Sequence, residues 1–121
     1  MATQSGRTAQ GTCNIGIDLV DVSRFRRFSR NPRHAFLKKV FSAREILYCF
    51  QYKKPSIHLA GIFAAKEAAS KALGTARFPF AELEIRHAKD GTPHVWKNGR
   101  KLPVRVSIAH TRTMAAAVAM R

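Results

Sequence analysis

"GIFAAKEAASKALGT", residues 61 to 75, sets one glutamate and two lysines into an otherwise small and apolar run. Leucine, alanine and lysine dominate from His58 to Leu73, proline is absent, and Gly74 stands where a helix stops. The pattern predicts a helix over 58–73. Ala64, Ala65, Ala68, Ala69 and Ala72 allow other segments to approach closely, so the helix is packed on most sides. Glu67 and Lys71, four positions apart, share a face with Phe63 and Gly74, while Lys66 points about 100° away. Two readings of the charges are open. They form a plain surface ion pair worth a few tenths of a kcal/mol, or the carboxylate serves a cation.

Working outward, "CNIGIDLVDV" (13–22) is aliphatic and β-branched and reads as a buried strand, interrupted by Asp18. Asp18 and Glu67 are thus two carboxylates on rigid elements without evident partners. Mg²⁺ is bound by one or two carboxylates, with water and substrate phosphates filling its shell, so the pair is a candidate site for it. His110 ends the strand "VSIAH" at a tight turn. It is either a solvated turn histidine or, with Ser107, Thr111 and Arg112, part of an anion pocket.

The remaining segments fall into place around these. In "SRFRRFSRNPR", Val22, Phe25 and Phe28 repeat every three residues as an apolar helical stripe, with Arg24, Arg26, Arg27 and Arg30 in the other directions and Pro32 as a stop. "HAFLKKVF" reads as a short helical continuation. Ser42 and Glu45 make the S-x-x-E capping box of a further helix, broken at "KKPS". "AELEIRHA" (81–88), "PHVWKNGR" and "PVRVSIAH" read as strands with turns at Asp90-Gly91 and Asn98-Gly99. "MAAAVAM" is open: alanine favours helix, whereas the short "TRT" gap suggests a hairpin strand. Strand, helices, strands is the order of an α+β domain.

The 121 residues suffice for one domain with a modest core, 13–121, after a polar tail (1–12) read as disordered, or as a mitochondrial transit fragment. The 22 Lys and Arg against 7 Asp and Glu give a formal charge of +15, which attracts polyanions: nucleic acid, anionic lipid, a phosphate-rich small molecule or an acidic protein. No apolar run reaches the roughly 18 residues of a membrane span. Cys13 and Cys49 form no CxxC, so free buried thiols in a reducing compartment are expected, not a disulfide framework or a zinc site.

"GIDLVDVSRF", "FSAREILY", "LAGIFAAKEAASKALGT", "DGTPHV" and "VSIAHTRTMAAAVA" occur in the order, and close to the spacing, of the holo-(acyl-carrier-protein) synthases. From about Ile15 onward the chain resembles this family, the short bacterial-type 4′-phosphopantetheinyl transferases. The resemblance implies a small antiparallel sheet packed with a long central helix and shorter helices. It implies Mg²⁺-dependent transfer of the 4′-phosphopantetheine arm of coenzyme A to a serine of an apo acyl carrier protein, with 3′,5′-ADP leaving. It assigns the metal to Asp18 and Glu67, catalysis to these two with Lys71, and coenzyme A contacts to Lys66, Gly74, Pro93, Ser107, His110 and Thr111. Arg24, Arg26, Arg27 and Arg30 would dock the acidic carrier protein. A cytoplasmic homotrimer serving fatty acid biosynthesis, with coenzyme A between subunits, is the implied assembly, with no membrane or nucleic acid partner. Ile62 stands where an arginine is expected, Ala109 removes a hydroxyl, and the N-terminal extension is longer than in compact members. A basic nucleic-acid-binding module is the alternative. Against it, the aromatics form no stacking strip and no helix-turn-helix or RNP pattern appears.

Overall fold

Two strands far apart in sequence, β1 (Ile15–Asp21) and β5 (Met114–Met120), lie side by side against one long helix, α3 (Pro55–Leu73). The computed structural model describes residues 14–74 and 82–121; the tail expected over 1–12, and Cys13, lie outside these. After β1 comes a 3₁₀ helix, Val22–Phe28, then α1 (Ala35–Val40) and α2 (Ala43–Phe50). Beyond α3 follow β2 (Leu83–His87), β3 (Pro93–Lys97), β4 (Arg100–His110) and β5. The five strands are antiparallel neighbours in the order β1-β5-β4-β3-β2. The expected α+β class is correct, and the alanine-rich C-terminal segment is a strand.

Sequence explains most of the elements. The three-residue apolar spacing of Val22, Phe25 and Phe28 is the 3₁₀ period, in which residues i and i+3 eclipse, and all three are buried. The second helix starts on both halves of its capping box: Glu45 N–H donates to Ser42 Oγ at 3.1 Å, and Ser42 N–H donates to Glu45 Oε1 at 2.9 Å. Pro55, in the first turn of α3, lacks only an N–H that would have no helical partner. The Asn98-Gly99 turn has positive φ at both positions (50° and 77°), as a two-residue hairpin requires.

Strand β1 is not buried on both faces, as its composition suggests. Gly16 and Val20 face inward, whereas Ile15, Ile17 and Leu19 are each 65% exposed. Across the ladder Ile15 meets Met120, Ile17 meets Val118, and Leu19 meets Ala116, so the outer face at this edge is an apolar stripe. On the inner face Ala115, Ala117 and Ala119 give β5 a thin surface on which α3 can lie close.

Lys66 is where the structure departs furthest from expectation. It does not reach a cofactor site: its side chain is fully buried between α3, α2 and the residue ending α1. Its ammonium donates at 2.8 Å to both Glu45 Oε1 and the Val40 carbonyl. Glu45 Oε2 accepts from the Ile85 N–H of β2 at 2.7 Å. Burial pushes the Glu45 carboxyl up and the Lys66 ammonium down, and each partner's charge opposes the other's shift. The capping-box glutamate thereby ties α2, α3 and β2 together. Removing one member of a buried pair strands the other charge, so Lys66→Met should lower the unfolding free energy by about 3–5 kcal/mol. Urea denaturation measures this, and adding Glu45→Gln should recover part of the loss.

Candidate active site

Strand parity turns Asp18, with Gly16 and Val20, toward α3. Gly16 is what lets the strand come close. A Cβ there would collide with the Ala68 carbonyl oxygen and lie 2.8 Å from Lys71 Cβ and 2.9 Å from Ala72 N. With no side chain in the way, Lys71 Nζ donates to the Ile17 carbonyl at 2.9 Å and pairs with Asp18 Oδ1 at 3.5 Å. Glu67 lies half-buried on the same flank of the helix, and its carboxylate makes no hydrogen bond or ion pair with another described residue. Burial first, and then the charge of Asp18, push its carboxyl above the usual range, with Lys71 and Arg24 opposing. The Arg24 guanidinium stands 5.0 Å from the Phe63 ring centroid and 5.9 Å from that of Phe25, which sets a second cation beside the carboxylates.

The structure therefore brings Asp18, Glu67, Lys71 and Arg24 together. Among the described residues no group of three or more His, Cys, Asp or Glu converges as a metal site. An oxygen-only pair of carboxylates, one of them raised by the other's charge, fits Mg²⁺, which relieves that repulsion and takes its other ligands from water and phosphate.

The opposite flank of α3 holds a different site. His58 and Glu67 are nine residues apart, which places them on opposite sides of the helix, about 180° apart at 100° per residue. Over His58 opens a cavity of about 520 Å³ whose walls include Ile62, His87, Pro93, Ser107 and His110. Pro93, Ser107 and His110 converge here. Thr111 does not line it; its Oγ1 accepts from the Thr113 and Met114 N–H groups and closes the β4–β5 turn. Gly74 ends α3 in the left-handed conformation (φ 72°), on the Glu67 flank, and its N–H donates to the Lys71 and Ser70 carbonyls. Of the four arginines expected to dock a partner, Arg26, Arg27 and Arg30 are exposed like Arg24. Arg27 lies 5.0 Å from the Phe28 ring.

Apart from His110, sequence reading missed the rings at and behind the cavity's wall. His87 stacks on Tyr48 (centroids 3.9 Å, 4° between planes), and His58 stacks on Tyr52 (3.8 Å, 17°). The two tyrosines meet edge-on at 5.3 Å, and His58 meets His110 edge-on at 5.9 Å. Only the i, i+4 spacing of Tyr48 and Tyr52 gave any hint, because the partners arrive from four separate segments.

An α+β molecule with one long helix across a five-stranded antiparallel sheet, carboxylates on one flank and a ring-lined cavity on the other, has close known counterparts. The family model of the 4′-phosphopantetheinyl transferase superfamily matches residues 14–119, and the chain belongs to that family. A holo-[acyl-carrier-protein] synthase from Chlorobaculum parvum is 38% identical over 109 residues, covering 88% of this chain and 93% of its own. One from Caldicellulosiruptor bescii is 41% identical over 117 residues, covering 88% and 95%. Among solved structures, a holo-(acyl-carrier-protein) synthase from Bacillus anthracis in complex with CoA (3′,5′-ADP) superposes with a TM-score of 0.73 at 28% identity, covering 88% and 93%. The Helicobacter pylori enzyme in complex with coenzyme A gives 0.72 at 29%, covering 87% and 96%.

If Asp18 and Glu67 share one site, removing the charge of Asp18 must lower the Glu67 carboxyl. In Asp18→Asn the Glu67 titration, followed by carboxyl ¹³C NMR, should move to lower pH. An unmoved Glu67 would separate the two groups.

Proposed function

We propose that this chain transfers the 4′-phosphopantetheine arm of coenzyme A to a serine of an apo acyl carrier protein, with Mg²⁺ bound at Asp18 and Glu67. The observation that carries the reading is the convergence of Asp18, Glu67 and Lys71 at the Gly16 contact, in a chain of this family. The serine oxygen forms a bond to the β-phosphorus of coenzyme A, the bond to the leaving phosphate breaks, and 3′,5′-ADP departs. The metal, when bound, neutralises charge on the diphosphate. Lys71, half exposed beside Asp18, supplies a compact ammonium to the same phosphates. The serine proton would pass to Glu67 directly or through a water on the metal that Glu67 helps hold.

The nucleotide belongs in the cavity over His58, where Pro93, Ser107 and His110 stand. One coenzyme A molecule touching both flanks of α3 reaches them most directly across a junction of two subunits, as in a homotrimer with active sites between its members. The exposed apolar stripe of Ile15, Ile17, Leu19, Val118 and Met120 supports such an assembly, since apolar patches of this kind mark contact faces. The basic 3₁₀ helix, with Arg24, Arg26, Arg27 and Arg30 at and just beyond it, faces solvent and suits an acidic carrier protein. On this reading the +15 charge serves a protein partner, with no nucleic acid involved, and the chain works in the cytoplasm in fatty acid biosynthesis. Among the described residues no helix is long and apolar enough to cross a membrane.

Incubation with coenzyme A, Mg²⁺ and an apo carrier protein should add the mass of one phosphopantetheine arm to the carrier. Asp18→Ala and Glu67→Ala should each abolish the gain, and the double variant should be scarcely worse, because the two act as a unit. Full activity in either single variant would refute the metal assignment.

A site shared between subunits makes a separate prediction. Glu67→Ala and His110→Ala are each impaired alone. After co-refolding into mixed oligomers, some junctions pair an intact carboxylate flank with an intact cavity, and activity should partly return. No return on mixing, or light scattering that shows an active monomer, would place the whole site in one chain.

A further inference from the structure

The cavity over His58 contains an unusual set of charges. Among its described lining residues, the groups able to carry positive charge are the imidazoles of His58, His87 and His110; the remaining charged group is Asp90, at the exposed β2–β3 turn. Ile62, on the same face of α3, is apolar and 2% exposed. Among the described residues no lysine or arginine lines this cavity. The Asp18–Glu67 flank, by contrast, holds Lys71 and Arg24.

We propose that His58 and His87, beside His110, bind a phosphate monoester of the nucleotide, and that these two do so as imidazolium groups, so that the chain takes up protons as it binds. The proposal rests on the coenzyme A reading above and identifies the group as the 3′-phosphate, because the diphosphate is held on the carboxylate flank. That leaves one phosphate for the cavity.

Three features support it. First, the imidazoles are preset: His87 lies flat on Tyr48, His58 flat on Tyr52, and the tyrosine hydroxyls lie 3.3 Å apart, with Tyr52 donating to Tyr48. The aromatic faces also favour a cation stacked upon them. Second, the surroundings of His58 and His87 disfavour their charged forms when no anion is present. His58 meets Tyr52 and Tyr48 from the α2 side and His110 from β4; His87 meets Tyr48 and His94 of β3. Burial, followed by the neighbouring histidines, holds both below the ordinary imidazole range. Third, the ligand is doubly charged near neutrality, since the second ionisation of a phosphate monoester lies at about 6. A dianion entering among neutral imidazoles stabilises their protonated forms, and the complex holds more protons than the free protein. Affinity must then fall as pH rises, by roughly tenfold per pH unit for each proton taken up.

The test uses the full-length protein and two nucleotides. Calorimetric titrations of 3′,5′-ADP and 5′-AMP are run between pH 7 and 8.5, each in two buffers of unequal ionisation enthalpy. For 3′,5′-ADP the heats should report net proton uptake, and affinity should fall about tenfold per unit for each linked proton. For 5′-AMP, which lacks the 3′-phosphate, both effects should be much smaller. His58→Gln and His87→Gln should each reduce the proton uptake for 3′,5′-ADP and flatten its pH dependence. Binding of 3′,5′-ADP without linked protons, equal slopes for the two nucleotides, or unchanged uptake in both variants would overturn the proposal and leave the coenzyme A reading standing. Failure of 3′,5′-ADP to bind at any pH would overturn both.

Discussion

The distance between β1 and α3 is set by an absent atom. Any side chain at Gly16 would strike the backbone of α3 at Ala68 and Ala72. With hydrogen there, Ala115, Ala117 and Ala119 of β5 can also lie under the helix, and the sheet and helix approach as closely as small residues allow. The chemistry depends on that spacing. Asp18 has a short side chain, and only a strand seated this deeply brings it to Lys71 and within electrostatic reach of Glu67.

The long helix divides its circumference among three tasks. Its alanines and Gly61 meet the sheet; Phe63 joins the aromatic cluster of the 3₁₀ helix around Phe25. Lys66 holds α2 and β2 through Glu45. What remains are two strips, one carrying Glu67 and Lys71, the other His58 and Ile62. A helix fixed on three sides cannot rotate about its axis without breaking a buried ion pair, so both strips are held in a constant direction relative to the sheet.

Sequence reading succeeded where the signal was local. The capping box at Ser42 and Glu45, the glycine stop at Gly74 and the hairpin turn at Asn98-Gly99 depend on residues within a few positions of one another, and the structure has all three. The pairing of Asp18 with Glu67 was legible for another reason: two carboxylates in apolar elements call for explanation wherever they meet. Lys66 was misread because its partner, Glu45, already had a complete local role as a capping residue, and nothing in spacing says that one carboxylate serves two masters 21 positions apart. The ring wall was invisible because Tyr48, Tyr52, His58 and His87 become neighbours only after α2, α3 and β2 have packed. The exposed face of β1 was misjudged because an apolar run looks the same whether one or both of its faces are covered by the rest of the fold.

The order of the strands carries a consequence for how the molecule comes into being. Strand β1 lies at the edge of the sheet, and its neighbour there is β5, the last strand of the chain. Asp18 stands opposite Ala117 in that ladder. The strand that presents Asp18 therefore has no sheet to join until a segment about a hundred positions later arrives, and closing so long a loop is an entropic cost that local contacts cannot offset early. On a growing chain, β1 leaves the ribosome first and acquires its ladder last. The carboxylate flank is accordingly among the final features to form, and a chain cut short before β5 would keep Asp18, Glu67 and Lys71 yet lack the strand that aims the first of them.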